Sequence, residues 1–381
     1  MIRSSALRRG AAVFVAASSI VAFSACSGMS NESGAPAAAD RCEQVDEVRI
    51  VLQWVAQAQF AGYYAAQDNG YYADQCLDVT IQEGGTNVVP QQTLASGNAE
   101  FAISHVTKSL ASRAEGADIV NIGQVFQKPA YLQVSWADSG IGSLQDLAGT
   151  KMGSWGGGNE LVLYAALRAS GVEPTTDINV IQQPFDMSLL LDREADSVQA
   201  KTYNEYAQLL ETLNRETGKL YQPEDFSVLN LGELGFISLE DGIYAQGDWL
   251  AEEGNEDIAT RFLAASYQGW ITCRDDVESC VDGVVAKGSA LGTSHQTWMM
   301  NEVNNLIWPS PEAGIGTLVP ELWDQTVQNG TDGGVLKAAP DADAYRTDLS
   351  EAAVKLLEAK DLDVVGEDYE PIEVTLIEGG K

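Results

Sequence analysis

The chain has little histidine and little basic charge: His105 and His295 are its two histidines, and 22 Lys and Arg face 55 Asp and Glu. With two histidines and cysteines that never fall in CxxC spacing, no group reads as a metal site, since zinc needs four nitrogen or thiolate donors at short spacing. The formal net charge of −33 repels polyanions, whereas tight nucleic-acid binding needs clustered cations that displace counterions from phosphates. Nucleic acid is therefore not an expected partner. The many carboxylates read as a solvated face and identify no ligand. No short fixed-period repeat occurs, which excludes solenoids. GxSxG, HExxH, Walker and dinucleotide-binding motifs are missing too, so the expectation is a binding protein with no cofactor.

What is present begins at the N-terminus. Arg3, Arg8 and Arg9 precede an apolar run from Gly10 to Phe23, which stops at Ser24, Ala25 and Cys26. That run is shorter than the roughly 20 residues a membrane-spanning helix needs, so residues 1–25 read as a secretory signal. Small residues before a cysteine resemble a bacterial lipobox, with Cys26 lipidated as the mature N-terminus. Phe23 stands where an aliphatic residue is usual, and cleavage to a free secreted protein is the competing reading. Residues 26–45 then read as a tether, its Gly, Ser, Ala, Pro and Asn too poor in apolar surface to fold. Export suits the other cysteines, and the expected disulfides are Cys42 with Cys76 and Cys273 with Cys280.

About 340 residues remain, enough for two α/β lobes of ordinary domain size. Between Val48 and Val125 short apolar runs alternate with amphipathic helices closed by Gly70, Gly97 and Gly116, each placed to supply a left-handed cap. This βαβαβ order predicts a mainly parallel sheet with helices on both faces. Tyr131–Trp136 reads as a further strand of this half. The same grammar restarts after Ser143, with strands over 151–154, 178–182, 197–200 and 226–229 and helices over 159–170, 187–193 and 204–214. Strands over 236–239 and 242–245 return the chain to the first half, and the rest is mostly helical. The expected organisation is a first lobe of residues 46–136 plus 236–381 and a second of 137–235. Crossings near 136–140 and 234–239 would act as the hinge.

Several segments, in order, resemble the solute-binding proteins of the thiamine-pyrimidine-precursor, sulfonate and nitrate type. They are Leu52–Ala66 with Asp68–Tyr72, Leu77–Ile81, Leu94–Phe101, Asp138–Ile141, Asp146–Lys151, Trp155–Glu160, Tyr203–Tyr206 and Glu240–Tyr244. The resemblance runs from about residue 48 to 247. It implies a two-lobed, periplasmic-binding-protein-like (type II) α/β fold that captures a small molecule and hands it to an ABC permease in the membrane. Such a receptor would be monomeric and held by the anchor at Cys26. The same family includes a pyrimidine-synthesising enzyme with a histidine-rich, cysteine-bearing site, which gives the alternative function; sulfonate, nitrate and flavin are the alternative ligands.

Ligands in open α/β sheets bind beyond the carboxyl ends of strands, and the candidate residues lie there. Trp54, Gln59 and Phe60 follow the first strand, offering an indole face, an amide and free N–H groups at a helix start. Phe60, Tyr63 and Tyr64 also fit a helical core stripe. His105 follows the strand 100–104. Three glycines after Trp155 allow close backbone approach at Gly157, and Asn159 and Glu160 open the next helix; a tight turn with Trp155 as packing is the alternative. Tyr203, Asn204 and Glu205 begin another helix, where carboxylate, amide and phenol together read an aminopyrimidine. Glu205 can equally serve as favourable charge on a first helical turn.

Overall fold

The computed structural model describes residues 42–288 and 290–381. The signal segment 1–25, Cys26 and the tether as far as residue 41 lie outside the described residues. The strands are β1 (Asp46–Val51), β2 (Leu77–Gln82), β3 (Phe101–Ser104), β4 (Ile119–Gln124), β5 (Tyr131–Trp136), β6 (Lys151–Ser154), β7 (Asn179–Gln182), β8 (Ser197–Lys201), β9 (Leu213–Asn214), β10 (Lys219–Leu220), β11 (Phe226–Asn230) and β12 (Gly242–Gln246). One sheet runs β2-β1-β3-β12-β4 and the other β11-β5-β8-β6-β7, with β9 and β10 a separate hairpin.

In the first sheet β1 lies parallel to β2 and β3, as βαβ connections require, and β12 enters antiparallel between β3 and β4. The second sheet repeats the arrangement: β6 is parallel to β7 and β8, and β5 is antiparallel to β8 and β11. Each sheet thus accepts one antiparallel strand delivered by the chain as it crosses from the other. β4 and β5 are buried along their whole length, which follows from helices covering both faces.

This pairing corrects the expected boundary. Tyr131–Trp136 belongs with the second sheet, so the crossings are residues 125–130 and 231–241, and the expected crossing at 136–140 is instead the end of β5 and a short turn. An apolar run reports burial on two faces but not the identity of its partner strands, which is why the sequence misplaced it. Phe236–Leu239, expected as a strand, runs without a ladder within the second crossing.

The two crossings are tied at Glu240, which is fully buried. Its Oε1 accepts from the Ala130 N–H at 2.8 Å, its backbone carbonyl accepts from the Gln124 side chain, and its Oε2 accepts from Lys201 Nζ at 2.5 Å. Leaving either partner of that buried ion pair alone would cost about 3 to 5 kcal/mol.

Helix Asn255–Asp275 covers the first sheet against helix Ala61–Asp68. The two backbones meet at glycines, since a Cβ on Gly269 would fall 1.9 Å from the Gly62 carbonyl oxygen. Phe262 stacks on Phe101 with ring centroids 4.0 Å apart. Disulfides Cys42–Cys76 and Cys273–Cys280 form as expected. Among the described residues no helix is long and apolar enough to cross a membrane.

Candidate ligand-binding cleft

Loops at the carboxyl ends of β1, β3, β6, β7 and β8 converge on a cavity of about 530 Å³. Gln53 and Trp54 follow β1, His105 follows β3, Trp155 follows β6, Phe185 follows β7 and Tyr203 to Glu205 follow β8, so both sheets contribute walls. Phe185 forms the aromatic seam between them. Its ring centroid lies 4.6 Å from that of Trp54 at a 48° tilt, and 6.4 Å from that of Trp155 with the planes 11° apart. Trp155 is fixed by its indole N–H donating to the Pro184 carbonyl at 3.2 Å and its backbone N–H donating to Gln199 Oε1 at 3.0 Å. Gly156, Gly157 and Gly158 carry φ of 66°, 62° and 92°, three successive left-handed residues that side chains would make costly.

The floor is a polar chain. Gln57 Nε2 donates to Gln59 Oε1 at 2.6 Å, Gln59 Nε2 donates to Asp241 Oδ2 at 2.7 Å, and Gln53 Nε2 donates to Asp241 Oδ1. Asp241 holds a φ of 35°, a region in which aspartate is better tolerated than most residues. Burial raises its carboxyl to about 7, with Glu240 adding to the shift and the Gln59 hydrogen bond opposing it. Burial, reinforced by the charges of Lys201 and Lys108, pushes the His105 imidazole well below its ordinary range. Its Nε2 lies 3.6 Å from Asp241 Oδ1, and its Nδ1 shares a 3.1 Å hydrogen bond with the Tyr131 hydroxyl. Lys201, lowered by burial and held up by Glu240, also sits 3.1 Å from the centroid of the Tyr131 ring.

Of the residues singled out from sequence, Trp54, Gln59, His105, Trp155, Gly157, Asn159, Tyr203, Asn204 and Glu205 line the cavity. Phe60 and Glu160 do not. Phe60 lies on the turn Ala58–Phe60 with its ring fully buried in the first core, and the Glu160 carboxylate turns back to accept from the Gly158 N–H at 3.1 Å. Glu205 reaches the wall but its oxygens accept from the Lys201 N–H at 3.0 Å and Asn204 Nδ2 at 2.9 Å, and burial raises its pKa. Tyr64 is buried in the core.

Gln53, Gln57, Gln91, Lys108, Phe185 and Lys201 line the cavity without having been singled out. Lys108 was within reach of sequence reasoning, since it lies in the first turn of the helix Val106–Ala114 that His105 immediately precedes, and Phe185 sits just beyond a strand end. Lys108 donates to Asn159 Oδ1 at 2.8 Å, bridging the two walls. Burial, then the nearby Lys201 charge, lowers its ammonium to about 8.

Comparison with known proteins agrees with this architecture. The formylaminopyrimidine-binding protein of Halalkalibacterium halodurans is 26% identical over 211 residues, 55% of this chain and 63% of that protein. The 4-amino-5-hydroxymethyl-2-methylpyrimidine phosphate synthase of Candida albicans is 23% identical over 225 residues, 58% of this chain and 65% of the synthase. In both cases less than two thirds of the relative's length is matched. The alkanesulfonate-binding protein SsuA from Xanthomonas axonopodis pv. citri superposes with a TM-score of 0.58 at 16% identity, covering 80% of this chain and 99% of that one. Residues 57–278 match the family model described as NMT1/THI5 like, which is more than half of the sequence, and the chain belongs to that family.

Proposed function

We propose that this chain captures a small, flat heteroaromatic solute in the cleft and releases it, unchanged, to an ABC permease, as an extracytoplasmic lipoprotein anchored through Cys26. The observation that carries this reading is the aromatic seam of Trp54, Phe185 and Trp155 at the mouth of a cavity walled by both sheets. Aromatic side chains stack on planar rings and tolerate many of them. The formylaminopyrimidine-binding relative supports a pyrimidine of the thiamine-precursor kind as the ligand.

Capture works by closure. Contacts that cross the cleft, Trp54 to Phe185 and Lys108 to Asn159, exist only when the walls are together. A ligand that adds to them biases an equilibrium between open and closed forms pivoting on the crossings at Ala130 and Glu240. The rival reading is an enzyme like the synthase relative, with a histidine-rich, cysteine-bearing site. Against it, His105 is the one histidine lining the cavity, and Cys42, Cys76, Cys273 and Cys280 are all in disulfides.

The test is a thermal-shift panel of aminopyrimidines, flavins and sulfonates, with pyridoxal phosphate scored for aldimine absorbance. A cognate ligand at a hundredfold excess over its Kd contributes about 2.7 kcal/mol, or about 4 °C of Tm for a chain of this size. The shift is expected with a planar ring and lost in Trp54→Ala. A shift with methanesulfonate and none with any ring would overturn the heteroaromatic reading, and an aldimine band would revive the enzyme.

A further inference from the structure

The two lysines that line the cleft have different partners. Lys201 is paired with Glu240 at 2.5 Å. Lys108 lines the cavity and has no carboxylate within ion-pair distance among the described residues. Its one hydrogen-bonding partner is the neutral Asn159 amide, so an ammonium with three donors retains two for something else. Its stem packs against the glycine turn, with Lys108 Cγ 3.4 Å from where a Gly158 Cβ would stand. That holds the charge at the cleft rather than letting it swing to bulk water.

The acids that would otherwise read a basic solute are engaged. Glu160 caps the Gly158 N–H outside the cavity wall, and both Glu205 oxygens accept from neighbours in their own half. At the glycine-turn end of the cleft, Lys108 is therefore the charged group left with free donors.

Resting on the reading of the cleft as the ligand site, we propose that the solute carries an oxyanion on its flat ring, a carboxylate, sulfonate or phosphate, and that Lys108 pairs with it. The ring stacks at the Trp54, Phe185 and Trp155 seam while the oxyanion lies at the join between helix 106–114 and the glycine turn, where Lys108 and Asn159 already bridge the walls. The oxyanion completes the bridge, which makes Lys108 both a specificity determinant and part of the closing contact.

The experiment uses matched pairs differing only in the charged group, nicotinamide with nicotinate, riboflavin with flavin mononucleotide and 4-amino-5-hydroxymethyl-2-methylpyrimidine with its phosphate, titrated calorimetrically into the full chain. Methanesulfonate serves as a ringless oxyanion. In at least one pair the anionic member is expected to bind about tenfold tighter or more. Lys108→Met should bring that preference below about threefold, whatever the lost wall-to-wall contact costs both members of the pair alike. Lys108→Arg should keep the preference, and Lys108→Gln replaces the Met variant if that one misfolds. A neutral member that binds equally well in every pair, or a preference that survives Lys108→Met, overturns the proposal and leaves the ring reading standing. Lys108-dependent binding of methanesulfonate with no ring binding sinks the ring reading and supports the anion site, and silence from every probe overturns both.

Discussion

At the scale of single residues, neighbouring side chains in the segment after β1 do different work. Trp54 is half-buried at the cleft mouth, while Phe60 is fully enclosed by the first core. Phe60→Ala is expected to cost about 3 to 5 kcal/mol in a urea melt, the usual penalty for emptying a packed aromatic site, without altering the Kd of the folded fraction. A large loss of affinity in that variant would put Phe60 in the site after all. Asp241 gives a second residue-level expectation. Its carboxyl is raised from 3.8 to about 7, so between those values the folded chain holds a proton that the unfolded chain has released. The contribution of this group to stability is therefore whole below about pH 4 and lost as pH rises through about 7. Asp241→Asn stays neutral throughout. Its Tm relative to the parent should climb between about pH 4 and about pH 7 and level off above that, corresponding to about 1.4 kcal/mol for each pH unit over which the folded parent holds a proton that the unfolded chain has released. A difference that stays flat across that range would mean that Asp241 is ionised in the fold at low pH.

At the scale of elements, the strength of a constraint depends on how much chain it closes. Cys42–Cys76 spans a sequence separation of 34 and Cys273–Cys280 a separation of 7. Chain-entropy arguments give the first about 4 kcal/mol and the second about 2.5 kcal/mol. Serine pairs at each site should lower the urea midpoint in that order, and an equal or reversed loss would show that local packing, not loop closure, sets the effect. Much of the element pattern was legible in sequence because it is local. Gly70, Gly97 and Gly116 close helices with φ of 75°, 70° and 98°, and β6 begins and ends where the apolar pattern puts it. What is not local was lost. β5 carries no mark that it pairs with β8 and β11, and helix Val277–Val285 was merged into an undifferentiated helical tail. The same division holds for the site. Trp54, Trp155 and Tyr203 sit at strand ends that sequence can find, whereas Lys201 and Asp241 matter because folding stacks the end of β8 on the second crossing. Neither the buried partner Glu240 nor the engaged oxygens of Glu205 can be read without that stacking.

At the scale of the whole molecule, electrostatics act against the compact state. With 55 acidic against 22 basic side chains over the chain, folding gathers like charges, and self-repulsion lowers stability when little salt is present. The exposed ion pairs, such as Arg193 with Asp138 at 3.0 Å and more than half exposed on both sides, oppose this weakly, since water screens the attraction and holding two long side chains together costs entropy. Screening by added salt shortens the reach of the repulsion from about 20 Å or more to a few ångströms and weakens the pairs far less in total. The expected outcome is a Tm that rises as NaCl increases from about 0.02 M to about 0.5 M, measured by calorimetry on the ligand-free chain. The same titration separates surface from cleft. The buried Lys201–Glu240 pair is shielded from bulk ions, so Glu240→Gln should shift the curve downward without changing its slope. A Tm that falls with salt would mean that the paired charges, Arg346 with Asp348 and Glu256 among them, outweigh the excess of acid, and that the negative surface is organised rather than merely repulsive.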